Sequence, residues 1–350
     1  MASPHRRWRA IAIAAALLAG CGGADATADT ASSDGIATET PIATTEGAAE
    51  ATATETPTAT AEPAENGPQL PVTLVDDTGT EVRVESIERI LPVDGDLAEV
   101  VFALGLGDRV VATDLSATYP PEAAALPQIG YQRALSAEPI ASVEPTVVLA
   151  TDLAGPPETI DALRTLGIPV VVIERDPSME GPGDKIRAVA EALGIAPTGA
   201  ELAATVDAEI AAASSGVSTA DPVRVAVLYL RGENVQIIFG AETSVDALLG
   251  TVGAVNVGAE LGIVDTGQIT AESLLAAAPD VIIVTTTGLE SVGGIDGLLA
   301  IPGVAETPAG RERRVLVYED QFLLGSGPRT GELVSELARD LSTPPPKEDS

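Results

Sequence analysis

Histidine, cysteine, lysine and aromatic residues are all scarce in this sequence. The 350 residues include one histidine, one cysteine, four tyrosines, three phenylalanines and one tryptophan. The histidine is His5 and the cysteine is Cys21, so both stand near the amino terminus. One cysteine excludes an internal disulfide, and residues 22–350 offer no thiol or imidazole for catalysis or for a metal site.

Catalytic motifs are absent as well. The sequence contains no GxSxG, HExxH or Walker stretch, and each of these motifs supplies the groups of a known reaction type. We therefore predict a protein that is not an enzyme and that has no catalytic cofactor. Two other classes stay open, a surface hydrolase that uses paired carboxylates and a structural or sensory surface protein.

Basic residues are few compared with acidic ones. The chain has 19 Lys and Arg against 52 Asp and Glu, a formal net charge of −33, and its lysines are Lys185 and Lys347. A surface this acidic repels the phosphate backbone, so nucleic acid is excluded as a partner. The charge is expected either of a well-solvated protein or of one adapted to salty surroundings, where self-repulsion is screened.

The first 21 residues have the composition of an export signal. A basic start precedes the apolar run Ile11–Leu18, which is too short to span a bilayer. The run continues into Ala-Gly before Cys21 and so resembles a bacterial lipoprotein signal peptide. The resemblance implies cleavage before Cys21, lipidation of its thiol and attachment to the outer face of the cytoplasmic membrane. The alternative is an ordinary signal peptide in which the cysteine stands by chance.

Composition divides the rest of the chain. Residues 22–68 consist largely of Ala, Thr, Pro and acidic residues, which predicts a disordered tether. Beyond it, short apolar runs alternate with helical patterns, which predicts an α/β fold of two Rossmann-like lobes with central parallel sheets. We place the N-terminal lobe at 69–197, a single connecting helix at 198–218, the C-terminal lobe at 219–342 and a tail at 343–350.

Alternating and buried apolar runs predict a hairpin and seven strands. The hairpin spans Val72–Val84 around an Asp-Thr-Gly turn. The strand candidates are Arg89–Val93, Arg109–Thr113, Thr146–Ala150, Val170–Glu174, Arg224–Leu230, Val281–Thr285 and Arg314–Tyr318.

An internal repeat supports the two lobes. Leu135–Leu149 and Ile269–Ile283 align without a gap at an offset of 134 residues. Each unit has a Ser or Thr at the predicted helix N-cap, an acidic residue in the first turn, a short helix, a proline and a buried strand. Two such units predict two related α/β lobes, although cap-helix-strand units are common enough to recur by chance.

Two lobes joined by one helix over Thr198–Ser214, behind a lipid anchor, resemble the solute-binding lipoproteins of ABC importers that carry haem, cobalamin or iron-siderophores. The resemblance covers residues 70–342 and implies a monomer that delivers its ligand to an ABC transporter permease. In that family each lobe presents one surface glutamate to the permease. The acids of the two repeats, Glu138 and Glu272, match those positions.

Four short stretches are similar to those of the haem binders in this family: Thr118-Tyr119-Pro120, Gly130-Tyr131-Gln132-Arg133, Gly288-Leu289-Glu290-Ser291 and Gly325-Ser326-Gly327-Pro328-Arg329. By this resemblance Tyr131 is the axial ligand of ferric haem iron and Arg133 hydrogen-bonds its phenolate. Tyr119 and Leu289 are expected at the pocket rim. Phenolate is a known haem ligand, and a guanidinium beside it favours its ionised form.

One departure from the family pattern limits the number of haems. Some of these proteins stack two haems and hold the second through a histidine of the opposite lobe. The corresponding region here, Tyr229–Gly232, contains no histidine. We therefore predict one transported haem, with propionate contacts from Arg231 and Arg329. Asp94 is expected to face the cleft, where its carboxylate would oppose propionates. Cobalamin or a ferric siderophore is the alternative ligand.

Overall fold

The computed structural model describes residues 67–215 and 221–343. The predicted signal peptide, the lipidation site Cys21, almost all of the tether and most of the C-terminal tail lie outside these residues. Within the described part of the chain, no helix combines the length and the apolar character needed to cross a bilayer.

The N-terminal lobe is built on a hairpin and a small parallel sheet. The hairpin pairs β1 (Val72–Val75) with β2 (Glu81–Val84), as predicted. The sheet has the order β3 (Ile90–Val93), β4 (Val147–Thr151), β5 (Val170–Ile173). Every residue of its three strands is buried, which is the pattern of a parallel sheet covered on both faces.

Apolar residues on the two faces of this sheet form separate cores. Ile90 and Leu149 belong to one cluster, and Leu91 and Val148 belong to the other, because side chains alternate along a strand. The helices of the lobe are α1 (Gly95–Ala103), α2 (Pro121–Ala124), α3 (Ala137–Ser142), α4 (Pro157–Thr165) and α5 (Gly181–Ala192), with 3-10 turns at Gly107–Arg109 and Gln132–Ala134.

The C-terminal lobe contains a larger sheet. Its strands are β6 (Arg224–Arg231), β7 (Val235–Phe239), β8 (Val255–Asn256), β9 (Thr266–Gln268), β10 (Val281–Thr285) and β11 (Val315–Tyr318), in the order β11-β10-β6-β7-β9, with β8 also on β6. Its helices are α7 (Ser244–Thr251), α8 (Val257–Glu260), α9 (Ala271–Ala277), α10 (Thr286–Ser291), α11 (Gly294–Ala300), α12 (Pro308–Arg311), α13 (Asp320–Leu324) and α14 (Thr330–Ser342).

The predicted α/β class is confirmed, but this second sheet is mixed. β6 pairs in parallel with β10 and β8, whereas β7 runs antiparallel to both β6 and β9. Only three residues separate β6 from β7, and Gly232 among them has a positive φ of 60°. So short a turn joins antiparallel neighbours only, because parallel neighbours need a crossover.

One of the seven predicted strands is wrong. Arg109–Thr113 begins at the end of a 3-10 turn, and Val110 and Thr113 make only isolated bridges to Ile90 and Gln128. The segment bonds to two different partners, since the Val111 amide donates to the Ile90 carbonyl and the Thr113 amide donates to the Pro127 carbonyl, so it forms no ladder with a single strand. The other six strands are present within two residues of the predicted bounds.

The two repeats adopt the same helix-then-strand arrangement, α3–β4 and α9–β10. Their caps differ. The Thr270 hydroxyl accepts a bond from the Ser273 amide in a capping box, whereas the Ser136 side chain makes no capping bond. The acidic residue of each first turn is exposed in both units.

The helix between the lobes is α6 (Ala196–Ser214), close to its predicted range. Val206 and Ile210 of the predicted stripe are buried, and Leu202 is partly buried against the N-terminal core. α6 packs on α5 of one lobe and on α14 of the other. The exact domain bounds stay a prediction.

Candidate functional site

Polar side chains gather where parallel strands end in both lobes. In the N-terminal lobe Asp94 and Asp152 follow β3 and β4, and in the C-terminal lobe Arg231 ends β6 and Asp320 follows β11. Ligands of open α/β sheets bind beyond the carboxyl ends of strands. The candidate site is therefore the cleft between these two edges.

Tyr131 is presented to solvent by a tight loop. Gly130 before it has a φ of 111°, a conformation that glycine adopts far more readily than other residues, and the Gly130 carbonyl accepts a bond of 2.9 Å from the Leu115 amide. Tyr131 then opens a 3-10 turn in extended conformation and is 40% exposed. Its ring is thus available to a ligand.

The residue between Tyr131 and Arg133 anchors this loop. Gln132 is buried, its amide donates to Asp114, and its carbonyl accepts a bond of 2.9 Å from Gly155. Both neighbours are therefore turned towards solvent, and Arg133 is exposed. Among the described residues Arg133 has no ion-pair partner, so its guanidinium is free for a ligand or for the Tyr131 phenolate.

A second tyrosine and arginine lie in the other lobe, and the sequence reasoning gave no role to the tyrosine. Tyr229 and Arg231 alternate along β6, and the Arg231 guanidinium carbon lies 4.2 Å from the centroid of the Tyr229 ring. Burial raises the pKa of the Tyr229 phenol; Arg231 and Arg133 lower it, and Tyr131 raises it. Tyr131 and Arg133 of the N-terminal lobe therefore act electrostatically on Tyr229 of the C-terminal lobe. The sequence does contain a signal for this second pair, because the pattern Tyr-x-Arg occurs both at 131–133 and at 229–231.

Arg231 is held by a carboxylate as well as by the ring. Its Nη2 donates a bond of 2.7 Å to Asp320 Oδ1, and Asp320 Oδ2 accepts from the amide and hydroxyl of Thr287 at 3.1 and 2.7 Å. Burial raises the pKa of Asp320, but the Thr287 and Arg231 bonds outweigh it and hold the pKa below its usual value. Arg231 therefore stays in place, and its propionate contact stays a prediction.

The other predicted rim and propionate residues pack within the protein to different degrees. Arg329 donates from Nε and Nη2 to the two oxygens of Glu99, both at 2.9 Å, and its guanidinium carbon lies 3.7 Å from the Tyr119 ring centroid. A propionate would have to compete with Glu99 for it. Tyr119 is 39% exposed, as expected of a rim residue. Leu289 is half-buried against the core of its own lobe.

Asp94 follows β3 and is partly buried. Its carboxylate accepts bonds from the Gly95 amide at 3.0 Å, the Ser116 hydroxyl at 3.2 Å and the Thr151 hydroxyl at 2.8 Å. Burial, together with the charges of Asp96 and Asp114, raises its pKa to about 7. A carboxyl that is largely neutral below pH 7 opposes propionates less than the sequence suggested.

A buried polar network joins the lobes below the cleft; we call Asp96, Glu99, Lys185, Gln321 and Arg329 the interlobe network. The Gln321 oxygen accepts from the Thr118 and Tyr119 amides at 2.8 and 2.9 Å. Its amide donates to the Gly95 carbonyl, Glu99 and the Tyr119 carbonyl at 2.8, 2.9 and 3.1 Å. These bonds fix one lobe to the other.

Lys185 completes this network. It forms a buried ion pair with Asp96 of its own lobe, and its ammonium also donates to the carbonyls of Gly325 and Ser326 in the C-terminal lobe at 2.8 and 3.1 Å. Sequence analysis assigned it no role, because nothing in the local pattern shows which residues meet across a domain boundary.

The predicted docking glutamates are exposed, Glu138 in the first turn of α3 and Glu272 in the first turn of α9. Neither takes part in an ion pair within residues 67–215 and 221–343. In the same part of the chain, no group of three or more His, Cys, Asp and Glu residues is arranged to hold a metal ion.

Known structures share this fold. The chain is 49% identical to the periplasmic heme-binding protein RhuT from Roseiflexus sp. RS-1, with a TM-score of 0.72 over 73% of this chain and 98% of RhuT. It is 40% identical to the periplasmic heme-binding protein BhuT, solved in complex with two hemes, with a TM-score of 0.68 over 73% of this chain and 97% of BhuT. Both have the two-lobe fold expected from the sequence.

Curated relatives are more distant. An uncharacterized ABC transporter substrate-binding lipoprotein of Bacillus subtilis, YvrC, is 26% identical over 77% of this chain and 85% of its own length. A cobalamin-binding protein of Halobacterium salinarum is 24% identical over 81% of this chain and 73% of its own length.

A family model described as periplasmic binding protein matches residues 90–322, which is most of the described fold. Members of this family bind solutes outside the cytoplasm and are not enzymes, so the predictions that this chain is not an enzyme and holds no catalytic cofactor are confirmed. The chain belongs to the periplasmic binding protein family.

Proposed function

We propose that this protein captures one ferric haem in the cleft between its lobes and delivers it to an ABC importer. The observation that carries the proposal is the exposed Tyr131 close in sequence to Arg133, which has no ion-pair partner among the described residues, together with the Tyr229 and Arg231 pair at the strand end of the other lobe. The 49% identity to RhuT, a heme-binding protein by name, supports the same ligand.

The chemistry of the pair suits ferric iron. A phenolate oxygen is an established haem ligand, and the Arg133 guanidinium can donate a charge-assisted hydrogen bond to it. Cobalamin is the second candidate, because a relative that is 24% identical is named a cobalamin-binding protein. The higher identity to heme-binding proteins, and two phenols in one cleft, favour haem.

Replacing Tyr131 by Phe should weaken hemin binding at least tenfold, because the variant loses an oxygen ligand while keeping the ring; a tenfold loss corresponds to about 1.4 kcal/mol. Titration of the purified protein with hemin, followed through the Soret and phenolate-to-iron bands, measures both affinity and ligation. The wild type should bind one equivalent.

The matched control is Tyr318→Phe, which removes the hydroxyl of another tyrosine. Tyr318 is buried in the C-terminal lobe, and its hydroxyl donates to Asp340. That variant should bind hemin as the wild type does. Unchanged affinity and spectrum in Tyr131→Phe would remove Tyr131 from the site, and tight binding of cyanocobalamin in place of hemin would reverse the choice of ligand.

Delivery to a permease is the second part of the proposal. The exposed acids Glu138 and Glu272 stand at equivalent places in the two repeats, and YvrC is named as a substrate-binding lipoprotein of an ABC transporter. We propose that these glutamates contact the permease and that lipidated Cys21 holds the protein at the membrane; Cys21 lies outside the described residues.

The double variant Glu138→Gln/Glu272→Gln should keep hemin affinity but reduce hemin-dependent ATPase stimulation of the reconstituted importer several-fold. Glu158→Gln/Glu332→Gln is the matched control, because both acids are exposed in the first turn of another helix, one in each lobe. Equal stimulation by the two double variants would show that the docking residues lie elsewhere.

A further inference from the structure

We infer that Leu115 is a specificity residue, which contacts the apolar surface of a tetrapyrrole whether or not the ring holds iron. The inference rests on the proposed function and deepens it, because it separates recognition of the organic ring from ligation of the metal. Neither the sequence patterns nor the family resemblance assigned a role to Leu115.

One loop joins the strand ends of the two lobes, and we call Asp114–Tyr119 the bridging loop. In the N-terminal lobe the Ser116 hydroxyl donates at 3.2 Å to Asp94, which follows β3. Two residues later, the Thr118 hydroxyl donates at 2.7 Å to Glu319, which follows β11 in the C-terminal lobe. The bridging loop therefore lies where the carboxyl ends of strands from both lobes meet, and ligands of such sheets bind there.

The residues on both sides of Leu115 fix the backbone of this loop. Asp114 is fully buried, and its carboxylate accepts bonds from the hydroxyl and the amide of Ser116 at 2.8 and 3.1 Å. The loop also packs directly on the start of α1, since a Cβ on Gly95 would lie 2.3 Å from the Ser116 carbonyl oxygen. Leu115 itself is 54% exposed. An apolar side chain is thus held in solvent by a fixed backbone, so covering it with a ligand costs little backbone freedom.

Leu115 also lies next to the segment that carries the candidate haem ligand. Its amide donates to the Gly130 carbonyl at 2.9 Å, and Gly130 directly precedes the exposed Tyr131. Tyr119, at the other end of the bridging loop, is exposed as well. Exposed apolar side chains that gather among polar ones are typical of ligand-binding grooves. A flat ligand that reaches Tyr131 is therefore expected to cover Leu115.

The chemistry of this contact favours one class of ligand. A leucine side chain donates no hydrogen bond and binds no metal, so its contribution comes from the apolar area that the ligand removes from water. A porphyrin offers such area on its faces and at its vinyl and methyl edges, with or without iron. A ferric siderophore surrounds its iron with polar groups and offers less. Leu115 therefore favours tetrapyrroles over siderophores.

The test compares hemin with metal-free protoporphyrin IX, both of which the wild type should bind. Leu115→Asn should lower the two affinities by the same factor, about tenfold, because the variant loses apolar area but no metal ligand; tenfold corresponds to about 1.4 kcal/mol. The phenolate-to-iron band of bound hemin should keep its position. Tyr131→Phe should instead lower the affinity for hemin alone.

Leu166→Asn is the matched control, because Leu166 is also exposed but lies at the end of α4, two residues after Arg164, which pairs with Asp76 of the hairpin. This variant should bind both ligands as the wild type does. Leu115→Met should do the same, because Met keeps a similar apolar area. Leu115→Ala, which introduces no polar group, should repeat the loss seen in Leu115→Asn.

Three results would overturn the inference while the proposed function stands. The first is wild-type affinity for both ligands in Leu115→Asn and Leu115→Ala. The second is a loss confined to hemin with a shifted band, which would mean that Leu115 acts through the Tyr131 loop. The third is a wild type that binds hemin but not protoporphyrin IX, which would make the iron alone decisive. If the wild type bound no hemin at all, the proposed function itself would fail.

Discussion

Replacing Lys185 by Met is expected to destabilise the protein by about 3–5 kcal/mol, the usual effect of removing one partner of a buried ion pair. Lys185 is 5% exposed, and its partner Asp96 is equally buried. Met fills a similar volume, but it leaves the Asp96 charge unpaired and removes the donor to the Gly325 and Ser326 carbonyls. Urea denaturation at neutral pH measures the free energy of unfolding.

Arg187→Met is the matched control, because Arg187 lies in the same helix and pairs with Asp184 and Asp207 at the surface. Exposed pairs contribute about 0–1 kcal/mol, so this variant should stay close to the wild type. Adding Asp96→Leu to Lys185→Met should restore much of the lost stability, because no charge is then left buried. A loss below 1 kcal/mol in Lys185→Met would show that water reaches Asp96.

Replacing Asp94 by Asn should remove a fall in stability that the wild type shows as the pH rises from about 4 to about 7. The pKa of Asp94 is about 7 in the folded protein against an ordinary value of 3.8. Between these values the folded protein binds the extra proton, so its stability decreases with rising pH, by about 4 kcal/mol in all. Below pH 4 the contribution is fully present, and above pH 7 it is lost.

The environment of Asp94 explains the size of this effect. Asp96 and Asp114 oppose its ionisation, whereas the Lys185 ammonium favours it, and the Arg175 guanidinium also interacts with its charge. Asn keeps an oxygen for the Gly95 amide and carries no charge at any pH. The measurement is the free energy of unfolding of wild type and variant across pH 4–8. Subtracting one profile from the other removes the pH dependence that the other carboxyl groups contribute to both.

Asp152→Asn is a control of opposite sign. Burial raises the pKa of Asp152, but its bonds with Arg175 outweigh burial and lower it, so its contribution is present at neutral pH and is lost as the pH falls. The Asn variant should therefore lose stability at pH 7 and little at low pH. A wild type and an Asp94→Asn variant with parallel pH profiles would show that Asp94 ionises normally.

Local patterns in the sequence predict a large part of this fold. The hairpin at Val72–Val84, the buried strands and the two repeats are each specified by residues close to one another in the chain. The antiparallel strand β9 was not predicted because its three residues, Thr-Gly-Gln, contain no apolar run. The strand β7, Val-Gln-Ile-Ile-Phe, does have an apolar run, but no strand was predicted there.

The site was only partly predictable for a related reason. Tyr131 and Arg133 were assigned through a local motif, whereas the same spacing at Tyr229 and Arg231 led only to a predicted propionate contact for Arg231 and to no role for Tyr229. Contacts such as Arg329 with Glu99 join residues 230 positions apart. No local pattern reveals such a pairing, so a side chain that seemed free for a propionate is already bonded.

The bonds of Gln321 have a consequence for the choice of ligand. Moving the lobes apart would break the bonds of this side chain to the backbone of Gly95, Thr118 and Tyr119 together, and a hydrogen bond of this kind contributes about 0.5–1.5 kcal/mol. These bonds therefore resist widening of the gap between the lobes. A flat macrocycle can enter a narrow gap edge first, whereas a corrinoid, which carries bulky groups on both faces of its ring, needs a wider one. We expect the thickness of a tetrapyrrole to be one of the properties by which this protein selects its ligand.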